Sequence, residues 1–186
     1  VVMPAYRLVP WAWHEQMRED VGLALQTTLE LLRKKDLGQK KILIGGMSAG
    51  ATLAAHLAFD RPALEQLGLT QALFSGFMSF AGPLDLAQMP PFGAVRRYAG
   101  GRPGSAEFEA ANPVTYLQGD ERIPALLTHG TVDAIVPFAC SESFFRQYSG
   151  PKTLRPLPGR THLDALRFAT DDTETARWLQ EWLADK

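Results

Sequence analysis

ILIGGMSAGATLAAHLA, residues 42–58, decides the reading of this chain. An apolar run, Ile42-Leu43-Ile44, stops at Gly45 and Gly46, and Ser48 and Gly50 follow. Such a run fits a parallel strand buried on both faces, and the small and apolar residues after it suit a buried helix. A lone hydroxyl therefore stands where a strand turns into a helix. Gly46-Met47-Ser48-Ala49-Gly50 matches G-x-S-x-G in the strand–turn–helix setting that the motif requires. There the serine backbone is held strained and its hydroxyl projects above the sheet. The flanking glycines are expected to leave room where a Cβ would collide with a neighbouring strand or helix. The helix start offers unpaired N–H groups and positive dipole to a developing oxyanion, with the Ala49 N–H as one donor. The bland alternative is a glycine-rich turn carrying a bystander serine.

A serine hydroxyl needs a base, and the base needs an orienting carboxylate. Asp133 in LLTHGTVDAIVP and His162 in LPGRTHLDAL follow Ser48 in the order Ser, Asp, His, each just past an expected strand. Of the four histidines, His14 falls before the first helix, His56 is two turns along the helix after Ser48, and His129 sits in a strand end and packs there. His162 is thus the candidate base and Asp133 the candidate acid. Glu142 is a weaker acid candidate. Asp85 reads as a turn or capping residue, and Asp164 is too close in sequence to His162 to orient it easily.

Working outward, residues 1–9 read as a strand and residues 16–36 as a helix, with Val21, Leu25, Leu29 and Leu32 on one face and Gly38 at its C-cap. ALFSGFMSFAG, IPALLTHG and KTLRPLP read as further strands, the last at a sheet edge because its prolines remove ladder donors. FACSESFFRQYS and DDTETARWLQEWLADK read as helices. Asp171 and Glu174 form a capping box in the second, and Trp178 and Trp182 share a face. Residues 85–117 are rich in Pro and Gly and read as irregular, with one short helix near 105–111. They form a short lid or pocket wall carrying Met89, Phe92 and Tyr98, stiffened by Pro90-Pro91. Strands alternating with helices imply an α/β class with a mostly parallel sheet, whose working residues lie at the carboxyl ends of the strands.

The 186 residues suffice for a single domain spanning 1–186. The net charge of −1, with no basic block, argues against nucleic acid or an anionic membrane surface as partner. No apolar run nears the roughly 20 residues of a membrane-spanning helix. Cys140 is the one cysteine, which rules out an intrachain disulfide and a multi-cysteine zinc site and fits a reducing, cytoplasmic compartment. The same residue near a helix start, with no glycine elbow, reads as packing. No metal or organic cofactor is called for. The oligomeric state is left open.

These segments together resemble the α/β-hydrolase superfamily. More narrowly, they resemble its hormone-sensitive-lipase-like and feruloyl-esterase-like carboxylesterases. YRLVP at 6–10, the Ser48 elbow, NPVTYL at 112–117 and the Asp133 and His162 loops carry the resemblance across essentially the whole chain. It implies ester hydrolysis through an acyl-enzyme, a small-molecule ester substrate and no cofactor. Trp11 stands where the group usually has an acidic residue. The HGGG-like loop that supplies further oxyanion donors upstream in that group has no counterpart here, nor do the strands before it. The expectation is a natural protein longer by roughly 70–120 residues, given the size such domains reach. Met47, Trp11 and Trp13 are candidate pocket residues, and a short lid favours small to medium acyl groups. A formamidase-like amidase, a prolyl-oligopeptidase-like peptidase and a non-catalytic hydrolase-fold binding protein are the other readings.

Overall fold

The computed structural model describes residues 1–37, 41–90, 93–169 and 173–184. Among these, four strands form one all-parallel sheet in the order β1 (Ile42–Met47), β2 (Phe74–Phe80), β3 (Ala125–Gly130) and β4 (Lys152–Leu157). Parallel neighbours need long crossovers. Helices supply them: α1 (His14–Lys34) leads into β1, and α2 (Ala49–Phe59) and α3 (Arg61–Gln66) join β1 to β2. The β2–β3 crossover carries α4 (Ala94–Ala99) and α5 (Ala106–Ala111), and α6 (Ala139–Gln147) joins β3 to β4. After β4 come a 3₁₀ segment, Leu163–Ala169, and α7 (Thr173–Ala184).

Burial explains why these segments adopt these forms. All of β3 is buried, as a strand covered on both faces must be. In α2, Ala51, Leu53, Ala54, Ala55, Ala58 and Phe59 are buried, so this helix is apolar nearly all round and lies at the centre of the fold. Phe59, Phe77, Phe144 and Tyr148 meet in one aromatic group at ring separations of 5.1–6.1 Å between α2, β2 and α6. β4 occupies a sheet edge, with Pro156 opposite His129 of β3. Trp182 of α7 reaches the sheet beside Gly76, where an added Cβ would come within 2.8 Å of its ring.

Three expectations are corrected. Residues 1–9 form no strand: the Arg7 N–H donates to Asp20 Oδ2 at 2.8 Å and its guanidinium grips the same carboxylate, so the segment is tied to α1 rather than to a ladder. Tyr6 and Val9 pack with Met17, Val21 and Leu53. β1 is consequently an edge strand, and a cavity of about 310 Å³ lies between it, α1 and residues 2–6. His14 opens α1 instead of preceding it. Residues 85–90 and 93–117 are more ordered than expected: the short helix foreseen near 105–111 is α5, and α4 and a 3₁₀ turn, Pro113–Tyr116, were not foreseen. Leu86, Ala99, Phe108 and Ala111 close a small core of their own, and Met89 and Tyr98 pack against it. Arg18 Nη1 donates to Ala110 O at 3.1 Å and His56 Nε2 meets Ala111 O at 3.0 Å, which fixes the segment to α1 and α2. Gly38, Pro91, Phe92 and Asp171 lie outside the described residues. No helix among the described residues is long and apolar enough to cross a membrane.

Candidate active site

The strand–helix junction at Ser48 is strained in the manner its motif requires. Ser48 has φ 52° and ψ −125°, a region that costs a non-glycine residue roughly 1–3 kcal/mol. The Ser48 N–H donates to Phe80 O at 2.9 Å, which locks the turn to the end of β2. Met47 packs with Phe80, Ala81 and Ala165 beside it. Ala49 and Gly50 head α2, where no intrahelical carbonyl can reach their N–H groups.

The two motif glycines are not equivalent. A Cβ on Gly46 would overlap the Gly50 carbonyl and stand 2.7 Å from Ala51 N, so the close approach of strand and helix demands glycine there. A Cβ on Gly50 would meet nothing within 4 Å. The expectation that both glycines relieve a collision therefore holds for Gly46 and fails for Gly50. Gly46→Ala should destabilise the fold by about 1–3 kcal/mol through overpacking. Gly50→Ala should be neutral or stabilising by up to about 1 kcal/mol, through better helix propensity. Urea titrations of the two variants read this difference, and equal destabilisation would contradict it.

The Asp133 and His162 loops meet at the ends of β3 and β4. Val132 N–H donates to Arg160 O at 3.2 Å and Gly159 N–H to Thr131 Oγ1 at 2.9 Å. A Cβ on Gly130 would come 2.7 Å from Thr161 O, so glycine lets the loops close on each other. His162 Nδ1 then lies 2.6 Å from Asp133 Oδ2. Asp133 Oδ1 accepts from Ile135 N–H and Val136 N–H, both at 2.9 Å. Burial pushes the Asp133 carboxyl up, but the bonds from Val136, His162 and Ile135 outweigh it and hold the group below its ordinary range. The carboxylate is ionised at neutral pH. Nδ1 of His162 is therefore the protonated nitrogen, which leaves Nε2 able to accept a proton.

The remaining candidates separate clearly. Asp164 accepts from Thr161 N–H and Oγ1–H, both at 2.8 Å, so it braces its own turn. Asp85 caps Leu86–Gln88 through Ala87 N–H and accepts from Ser143 Oγ–H at 2.6 Å. Burial drives the His56 imidazole well below its ordinary range, with Arg18 adding to the effect. Burial likewise pushes the Cys140 thiol up to about 12, so it is no nucleophile at neutral pH. Trp13, 53% exposed, packs on Gly100 and walls a cavity of about 480 Å³ with Val9, Pro10, Arg96 and Arg97. Trp11 closes a turn onto Leu8 O and stands 87% exposed, so it is a rim residue at most. None of the residues lining that cavity belongs to the Ser48, Asp133 or His162 loops. His129 is expected from the sequence only to pack in its strand end. The structure sets it 3.2 Å from Asp133 Oδ2, a proximity that the four-residue spacing across a turn could have signalled.

Ser48 and His162 stand on packed elements: Ala165, three residues after His162, touches Phe80 and Ala81 at the strand end that holds the serine turn. Among the described residues no hydrogen bond joins the two side chains. Such bonds often form only in the substrate complex.

Comparison with known proteins agrees with this architecture. The BD-FAE family model matches residues 1–148. No curated protein matches the chain. A truncated form of a carbohydrate esterase from gut microbiota superposes with a TM-score of 0.79 at 18% identity, over 97% of this chain and 73% of its own. An acetyl ester-xyloside bifunctional hydrolase from Caldicellulosiruptor lactoaceticus gives 0.74 at 19% identity, over 97% and 69%. Est2, a thermophilic esterase from Thermogutta terrifontis, gives 0.67 at 20% identity in its butyrate-bound form, over 95% and 70%. With four-fifths of its length matched by the family model and its sheet shared with these esterases, the chain belongs to the BD-FAE family and is a carboxylesterase-type hydrolase of the α/β-hydrolase fold.

Proposed function

We propose that this protein hydrolyses carboxylic esters of small to medium acyl groups through an acyl-enzyme on Ser48, with His162 as base and Asp133 as its orienting acid. The observation that carries the reading is the 2.6 Å contact between His162 Nδ1 and Asp133 Oδ2, placed at the same sheet edge as the strained Ser48 turn. Ser48 Oγ attacks the ester carbonyl while its proton passes to His162 Nε2. Negative charge collects on the former carbonyl oxygen, where the Ala49 N–H and the start of α2 stabilise it. Collapse expels the alcohol, which takes the proton from Nε2. Water then repeats the sequence on the acyl-enzyme, releasing the acid and restoring Ser48.

Met47, packed beside the serine turn, supplies one wall for the acyl group. Residues 85–117 act as a compact cover whose short length limits the acyl chain. The butyrate held by Est2 favours the same size range. The expected result is faster turnover, in kcat/KM, of p-nitrophenyl acetate and butyrate than of the decanoate and palmitate. Preference for the long chains would overturn the size assignment. Aminoacyl p-nitroanilides and N-formyl amides should turn over far more slowly than the esters, and faster amide cleavage would overturn the ester assignment.

A further inference from the structure

Two histidines converge on one oxygen of Asp133. His162 Nδ1 reaches Oδ2 from the loop after β4 at 2.6 Å, and His129 Nε2 reaches it from the end of β3 at 3.2 Å. His129 is 0% exposed and fully engaged. Its Nε2 also lies 2.9 Å from Val136 O, and its Nδ1 lies 2.7 Å from Ser141 Oγ in α6. Phe138 packs edge-on against the ring at 5.7 Å.

These neighbours settle the tautomer. Both groups facing Nε2, a carbonyl and a carboxylate, can only accept, so Nε2 carries the hydrogen. Nδ1 must then accept from the Ser141 hydroxyl. Burial holds the imidazole below its ordinary range, which keeps the ring neutral. A neutral N–H, fixed from behind by a serine, thus bridges the Val136 carbonyl and the carboxylate. Val136 is the residue whose own N–H binds Asp133 Oδ1, so the bridge closes the loop 133–136 on itself.

We propose that His129 is a positioning residue for the reaction. It holds the Asp133 loop so that Oδ2 meets His162 in one orientation, and it draws charge from that oxygen. The proposal rests on the roles assigned above to Ser48, Asp133 and His162. The ionisable groups facing Asp133 are His129 from β3, His162 from the loop after β4 and Cys140 from α6, and Asp85 also acts on Cys140. Cys140 and Asp85 are the same in every variant named here, so neither accounts for a difference between them.

The test compares His129→Asn with His129→Gln. The Gln amide nitrogen reaches the position of Nε2 and keeps the donor; the Asn amide stops at the position of Nδ1 and loses it. With p-nitrophenyl acetate, His129→Asn should lower kcat about 10–100-fold, the loss that follows when the hydrogen-bond partner orienting a metal-ligating side chain is removed, taken here by analogy. KM should stay within about twofold, since the interaction acts on the transition state. Without the donor, more negative charge stays on Oδ2, so the acid limb of kcat/KM should move to higher pH. His129→Gln should recover most of kcat and return the limb to its parental position. Ser141→Ala leaves the ring in place but unfastened, and should move the limb the same way by less; it carries the test if His129→Asn does not fold. Unchanged kcat in His129→Asn, or equal losses in both variants with an unmoved limb, would overturn the proposal. Ser48→Ala, assayed alongside, separates the two ideas. Full activity there defeats the assigned roles themselves, whereas an inactive Ser48→Ala with an indifferent His129 defeats this proposal alone.

Discussion

Ser48→Ala should lower kcat for p-nitrophenyl acetate by about 10⁴–10⁶-fold, the range seen when the nucleophile of a serine triad is removed. The size follows from what remains. Ala49 N–H, the start of α2 and the binding surface still stabilise some transition-state charge, but no covalent route is left. The stability should not follow the activity. Alanine meets the same positive φ of 52° as serine, so the strained turn persists and melting stays within a few degrees of the parent. Ser48→Gly should be equally inactive yet more stable than either, because glycine accepts that backbone without strain. A Ser48→Ala protein that keeps a tenth of parental activity would remove Ser48 from the chemistry.

Asp133→Asn carries the second large effect, a loss of about 10⁴ in kcat, through the tautomer of His162. The structure says how the amide must sit. Oδ1 accepts two backbone N–H groups at 2.9 Å, and a carbonyl oxygen keeps that place far better than an amide nitrogen. The Asn nitrogen therefore lands where Oδ2 was and donates to His162 Nδ1. That leaves the hydrogen on Nε2, which then has no lone pair for the Ser48 proton. The substitution also has a signature in stability against pH. The folded Asp133 carboxyl lies below its ordinary value of 3.8, mainly because its hydrogen bonds overcome burial. A depressed group contributes stability above its ordinary value and loses it as pH falls through the folded one. Parent and Asp133→Asn should thus differ most in denaturant midpoint above pH 5, and the difference should shrink toward pH 2. A difference that grows as pH falls would contradict the assignment.

Much of the candidate site's arrangement was legible in the sequence for a physical reason. The elbow needs a buried apolar strand, a glycine under close approach and a helix start within a few residues, and Ile42–Gly50 writes all three in order. Asp133 and His162 follow β3 and β4, and parallel strands send their ends to one edge, so chain order alone brought them together. What was not legible depended on partners that local sequence does not name. Val1–Val9 has the composition of a strand, but a strand exists only through a ladder, and Arg7 spends its backbone donor on Asp20. Proline and glycine in residues 85–117 hid α4, while α5 was foreseen, because a helix as short as α4 is stabilised by the core that Leu86, Ala99 and Phe108 share. Gly50 matched a motif whose steric demand falls on Gly46 alone. His129 read as packing because its second contact lies across a turn, in a register set by Ser141 and Val136.

The proposed function requires that Ser48 becomes acylated during turnover. Its most direct test is an acid quench of the protein during steady-state hydrolysis of p-nitrophenyl butyrate, followed by intact-mass and peptide analysis. A fraction of the protein should be heavier by one butyryl group, with the label on Ser48 in the peptide containing residues 42–58, and none in Ser48→Ala. Turnover with no acylated fraction under any quench, or a butyryl group on another residue that is required for turnover, would contradict it.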